Sequence, residues 1–167
     1  RNESIKLLLT RMENKMIREI NKAWKEGRNI FKNKMELITF ASLIESETKK
    51  NNEKYLVSSV FHNRLKTNMK LQSDSSVLYG KNYYLKKKTR SLFKKDLKKD
   101  TYWNTYTRNG LPATPICNPG LESIKAAIKP AKTQYLFFVS DGLGGHRFSH
   151  NLEEHIKNIK IWKSMSK

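Results

Sequence analysis

Tyr135-Leu-Phe-Phe-Val-Ser-Asp-Gly-Leu-Gly-Gly-His-Arg-Phe148 decides the fold class. The unbroken apolar run from Tyr135 to Val139 predicts a buried strand. Asp141 to Gly145 turns the chain, and His146 to Phe148 returns as a second strand. The other long periodic segments read as helix. Helices dominate and strands are late and few, so the expected class is α+β: a helix-rich domain with a small sheet formed mainly by the C-terminal half.

Downstream, Asn151 and Glu154 cap a last helix carrying Leu152, His155, Ile156, Ile159 and Trp162. Upstream, Asn118-Pro119 predicts a helix start, with the helix running through Ile128. Residues 101–120 read as a short strand entering a loop fixed by Pro112, Pro115 and Pro119. Residues 81–99 hold nine Lys or Arg and predict an exposed basic arm, taken as 81–100. Residues 69–80 predict an extended piece and a short helix, capped by Ser73 or Asp74 and stopped by Gly80. Leu56, Val57, Val60, Phe61 and Leu65 suggest a helix. So do Leu37, Ile38, Phe40, Ala41, Leu43 and Ile44, after an Asn33/Glu36 capping box. Ile5, Leu8, Leu9, Met12, Met16, Ile17, Ile20 and Trp24 repeat at steps of three and four, which is an amphipathic helix ended by Gly27.

A chain of 167 residues suits one domain, here a helical lead-in (1–30) and a main body (31–167). No apolar run approaches the ~18 residues of a membrane span, and no stretch reads as a signal peptide. The chain opens on Arg1, which suggests a part of something longer. One cysteine, Cys117, excludes an internal disulfide and a multi-cysteine zinc site. Lys and Arg number 34 against 15 Asp and Glu, a formal +19. A polyanion partner is one reading of that excess. However, 26 of the 34 are Lys, and 15 Asn accompany them, the composition an AT-rich genome imposes. No nucleic-acid-binding motif is legible, and no nucleic-acid partner is expected.

Four constellations could carry chemistry. Glu45 and Glu47, in Ala41-Ser-Leu-Ile-Glu-Ser-Glu-Thr48, both fall inside a broad apolar arc, about 160° apart on the helical wheel. Periodicity does not choose between them. A carboxyl on an apolar face resists ionisation and can act as a proton donor; the alternative is a partly exposed Glu paired with a lysine. Gly142-Leu-Gly-Gly145 lacks the context of a phosphate loop and reads as a hairpin turn. His146, His150 and His155, with or without His62, lack the carboxylate or cysteine that would complete a metal site. Cys117 lies between prolines, with no preceding helix N-terminus to activate its thiol.

Several blocks then match in order: Ala41 to Thr48, Ser59-Val-Phe-His-Asn-Arg-Leu65, Met69-Lys-Leu-Gln-Ser-Asp74, Val77-Leu-Tyr-Gly80, Asn104-Thr-Tyr106, Gly110-Leu-Pro112, Asn118-Pro-Gly120, Lys125-Ala-Ala127, Pro130-Ala-Lys-Thr133 and Gly144-Gly-His146 with Phe148. Together they resemble the endolytic murein transglycosylase (YceG-like) family over roughly 35–163. Three departures stand out: Trp103 where Tyr is usual, Ala113-Thr114 where Pro-Gly is usual, and Ile156 where Asn is usual.

The resemblance implies cleavage of the β-1,4 bond between N-acetylmuramic acid and N-acetylglucosamine in peptidoglycan, leaving 1,6-anhydromuramyl ends and terminating nascent strands. It implies Glu45, the first Glu of its block, as sole acid and base, and Glu47 as a supporting group. It assigns substrate contact to Asn63, Gln72, Asp74, Asn104 and Tyr106, with no metal and no cofactor. It implies a full-length protein with a membrane anchor and a LysM-like domain on the periplasmic face of the inner membrane, with synthesis proteins as partners. The basic arm could meet an anionic membrane surface. The competing classes are a non-enzymatic polyanion binder and a wall-synthesis scaffold.

Overall fold

The computed structural model describes residues 4–27 and 29–165. Among the described residues, seven helices and two strands follow in the order α1 (Ile5–Glu26), α2 (Lys34–Glu47), α3 (Asn51–Lys66), α4 (Asp74–Leu85), α5 (Lys94–Lys98), α6 (Leu121–Ile128), β1 (Phe137–Ser140), β2 (His146–Ser149) and α7 (Leu152–Met165). The class is α+β.

The hydrophobic helix α2 is the centre of the domain. Leu37, Phe40, Ala41, Leu43 and Ile44 are all fully buried, enclosed by α1, α3, α4 and α6. A helix buried on most sides has no clean polar face, which is why its wheel cannot rank its glutamates. Its start is capped as expected: Asn33 Oδ1 accepts the Glu36 amide at 2.9 Å. The reciprocal bond of the box is displaced by one residue, with the Lys32 amide donating to Glu36 Oε2. Phe61 of α3 packs edge-on against Phe40 on one side and Phe138 of β1 on the other, which carries the core out to the sheet.

Helix α1 docks through its second half only. Ile20 and Ala23 are buried, whereas Leu7, Leu8, Leu9 and Met12 are exposed. Gly27 ends it against α6, where an added Cβ would sit 2.6 Å from Ile128 Cγ2.

Four expectations are corrected. Helix α4 runs through Gly80 to Leu85, and Gly80 serves close packing: a Cβ there would meet Thr101 Oγ1 at 3.1 Å and Trp103 Cβ at 3.2 Å. Residues 101–120 form turns and no strand. Their order comes from Asn104, whose side chain donates to the Lys99 and Leu97 carbonyls and accepts from the Tyr106 amide. The cap of α6 is Gly120, two residues after Asn118. Strand β1 is half-buried throughout, because a two-stranded sheet is too narrow to be closed off between α3 and α7.

Strands β1 and β2 pair antiparallel with Phe138 opposite Phe148 and Ser140 opposite His146. Asp141 Oδ1 holds the turn by accepting the Leu143 and Gly145 amides, and Gly142 and Gly144 adopt φ of 78° and 81°. Helix α7 begins as expected, with Asn151 Oδ1 accepting the Glu154 amide, and covers the sheet. The basic arm is exposed yet built, as the C-terminal half of α4, a loop and α5. Two of the three departures from the family pattern meet: Trp103 Nε1 donates to Thr114 Oγ1 at 2.8 Å. The larger indole and the hydroxyl thus form a polar contact of their own.

Candidate active site

A groove of about 560 Å³ runs between the end of α2, the start of α4 and the C-terminal sheet. Glu47, the last residue of α2, stands on its wall with Gln72, Asp74, Tyr106 and His146. Glu47 is half-buried, and Oε1 accepts the Ser73 hydroxyl at 2.5 Å. Burial pushes its carboxyl above the ordinary range, and the neighbouring charge of Asp74 pushes the same way. The Ser73 hydrogen bond and His146 oppose this without cancelling it. Ser73 is the N-cap residue of α4, but its hydroxyl serves Glu47 and not its own helix.

The opposite wall is fixed by short polar contacts. Tyr106 donates its phenol to Asp74 Oδ1 at 2.6 Å. Burial, and then that carboxylate, hold the phenol well above its usual pKa, so it remains a donor. Gln72 has φ of 51°, a left-handed conformation that costs a non-glycine residue about 1 kcal/mol or more. Arg64 over-determines it: its guanidinium donates to the Lys70 and Leu71 carbonyls and to Gln72 Oε1, and its Nε donates to the Leu136 carbonyl.

His146 is held from behind. Its backbone amide and its Nδ1 meet the two oxygens of Glu53 at 3.1 and 2.8 Å, and the Thr48 hydroxyl donates to the same carboxylate. Burial would raise the Glu53 carboxyl, but these bonds outweigh it and hold it low. Gly145 precedes His146 because a Cβ there would collide with the Glu53 carboxylate.

Glu45 is placed differently. Its Oε2 accepts the Ser123 hydroxyl at 2.5 Å, the Gly120 amide at 3.0 Å and Lys54 Nζ at 3.0 Å. Partial burial raises its pKa, but the three donors more than reverse that, so the carboxyl is held below its ordinary value. Its side chain is 30% exposed, while that of Lys54 is 6% exposed. Glu45 is therefore an anion at the start of α6, tying α2 to α3 and α6. Burial outweighs the hydrogen bonds and raises the carboxyl's proton affinity at Glu47, and not at Glu45.

Of the five residues expected to contact substrate, the groove gathers three: Gln72, Asp74 and Tyr106. Asn104 is buried, with its amide spent on the backbone. Asn63 donates to the Thr133 and Tyr135 carbonyls and anchors the approach to β1. Glu53 and Arg64 were not legible as site residues, since their partners lie some 70 to 90 residues away. A larger groove of about 900 Å³ is walled by Ile30, Met35, His62, Leu111 and Pro112. Its carboxylate, Glu36, is already bonded to the Lys32 amide. Among the described residues no cluster of three or more His, Cys, Asp or Glu could hold a metal ion, and no helix is long and apolar enough to cross a membrane.

This fold and groove have counterparts. Residues 1–161 match the sequence profile described as the YceG-like family. The chain is 45% identical over 121 residues to the endolytic murein transglycosylase of Bacillus subtilis strain 168, an alignment covering 72% of this chain and 32% of that protein. It is 35% identical over 130 residues to the endolytic murein transglycosylase of Streptococcus pneumoniae strain D39, covering 74% and 23%. A crystal structure of a yceG-like protein from Listeria monocytogenes superposes with a TM-score of 0.80 at 36% identity, over 94% of this chain and 50% of that one. The chain belongs to the YceG-like family. It spans about a third or less of the length of these curated relatives.

Proposed function

We propose that this chain is the catalytic part of an endolytic murein transglycosylase, with Glu47 acting first as general acid and then as general base. The single observation that carries the assignment is a carboxyl of raised proton affinity on the wall of a groove beside Gln72, Asp74 and Tyr106. The names of the relatives supply the substrate, a peptidoglycan glycan strand.

In this reading the strand lies along the groove with a muramic acid–glucosamine bond at Glu47. Amide and phenol groups suit N-acetyl and hydroxyl groups, and the apolar floor of Phe138 and Val139 suits sugar faces. Ser73 holds Oε1, leaving Oε2 to carry the proton. Glu47 protonates the glycosidic oxygen as the bond to C1 breaks. The carboxylate then takes the proton of the C6 hydroxyl of the same muramic acid, whose oxygen closes on C1. That gives a 1,6-anhydro end and restores the acid. The nucleophile is tethered, so its effective concentration is very high and no activated water is needed. His146, fixed by Glu53, is the neighbour that favours the Glu47 carboxylate once the proton has left. Glu45 supports the fold. The reaction belongs on the outer face of the inner membrane, where strands are assembled.

Digestion of purified peptidoglycan followed by mass analysis of the ends tests the proposal. Anhydro ends from the native chain and none from Glu47→Gln are expected. Reducing ends would instead mean hydrolysis, with Asp74 as the second carboxylate such chemistry needs. Uncut strands from the native chain would favour a scaffold.

A further inference from the structure

Residues 81–99 carry nine of the chain's 34 basic residues in 19 positions, more than twice their overall density. A coding bias acts on the whole chain and does not explain that local excess. The only acidic residue in the stretch, Asp96, is taken up by Lys81 at 2.7 Å, which fastens α5 to α4. Asn82 clamps the loop between them: its side chain accepts the Thr89 amide and donates to the Thr89 carbonyl. The excess charge therefore sits on a built hairpin.

Apolar groups stand out among the charges. Leu85 is 58% exposed and Phe93 57%, and Tyr83 and Tyr84 are exposed beside them. Lys81 lies over the Phe93 ring at 4.8 Å and Lys99 over Tyr84 at 5.8 Å. A soluble polyanion requires only the lysines. Aromatic and aliphatic side chains level with ammonium groups suit a boundary where headgroup charge meets acyl chain. Lysine stems can also lie along apolar surface while their heads stay in water.

We propose that the α4–α5 hairpin docks on an anionic phospholipid surface, with Lys86, Lys87, Lys88, Lys94 and Lys95 at the headgroups and Leu85 and Phe93 entering the interface. Helix α4 starts at the groove with Asp74 and ends at the hairpin. Its 12 residues span about 18 Å at 1.5 Å each. A docked hairpin would hold the Asp74 end of the groove within about that distance of the docked residues, whatever reaction the groove performs.

Co-sedimentation with vesicles of phosphatidylcholine alone, or of equal parts phosphatidylcholine and phosphatidylglycerol, tests this. The native chain should bind the anionic vesicles alone. Replacing Lys86, Lys87, Lys88, Lys94 and Lys95 with Gln should weaken that binding at least about tenfold, given the attraction each basic residue contributes near an anionic surface. Neutralising five exposed lysines elsewhere (Lys6, Lys15, Lys25, Lys132 and Lys163) should weaken it far less. Replacing Leu85 and Phe93 with Ser should weaken vesicle binding several-fold and leave binding to soluble polyphosphate unchanged. The proposal is overturned if the arm and control variants lose equally. It is also overturned if the Leu85/Phe93 variant loses nothing, which would mean simple polyanion attraction. Circular dichroism confirms that each variant is folded.

Discussion

Ser73 donates its hydroxyl hydrogen bond to Glu47 Oε1 across 2.5 Å, so the residue that opens α4 restrains the last residue of α2. The Glu47 carboxyl stays above the ordinary range in spite of this bond, because burial and Asp74 prevail. Replacing Ser73 with Ala removes one group that favours the carboxylate, and the proton affinity of Glu47 should rise. An acid must be protonated to act, so the alkaline limb of the pH–rate profile should move to higher pH. An unmoved limb would mean that another group sets it.

His146 also favours the Glu47 carboxylate. His146→Gln should shift the same limb upward and lower kcat more than it raises KM. Asp74 and Tyr106 on the facing wall and Arg64 behind Gln72 are unaltered in that variant, so the shift reports on the imidazole. Glu53→Gln should behave alike, because it releases the ring. A loss confined to KM would make His146 a substrate contact only.

The two glutamates should affect stability with opposite pH dependence. Glu45 binds its proton more weakly in the folded state, so its contribution is present above the unfolded carboxyl pKa and fades as pH falls through the folded value. Glu45→Gln should cost about 2–4 kcal/mol near neutral pH, since it strands the buried Lys54, and less in acid. Glu47 binds its proton more tightly when folded, so its contribution is full below the unfolded pKa and is lost as pH rises through the folded value. Glu47→Gln should therefore match the native chain in acid and equal or exceed its Tm at neutral pH. Thermal melts between pH 4 and pH 8 check both.

Phe61 joins the helical core to the sheet through Phe40 and Phe138. Phe61→Ala should cost about 3–5 kcal/mol by urea unfolding. A cost near 1 kcal/mol would mean that the sheet closes over the gap.

Much of this architecture was legible in local pattern. The stepped apolar residues of α1, the Asn33 and Asn151 caps, and the glycine turn before His146 each carry their own physical signal. Most of what escaped depends on distant partners. Gly80 reads as a stop until Trp103 packs on it. Asn104 reads as a sugar contact until its amide is seen holding the backbone of its own loop. Asn118-Pro119 reads as a helix start, yet Gly120 caps α6 because its amide faces Glu45. Periodicity left Glu45 and Glu47 open for the same reason, and the family resemblance pointed to Glu45. Both sit on a helix enclosed on most sides, and the donors at Ser123, Gly120 and Lys54 are what lower the Glu45 carboxyl while that of Glu47 is raised.

Carbon-13 NMR titration of the glutamate carboxyls measures that distinction directly. The account predicts that Glu47 loses its proton above the ordinary glutamate range and Glu45 below it. A Glu47 that ionises at or below the value of an exposed glutamate, with Glu45 titrating above it, would contradict the account.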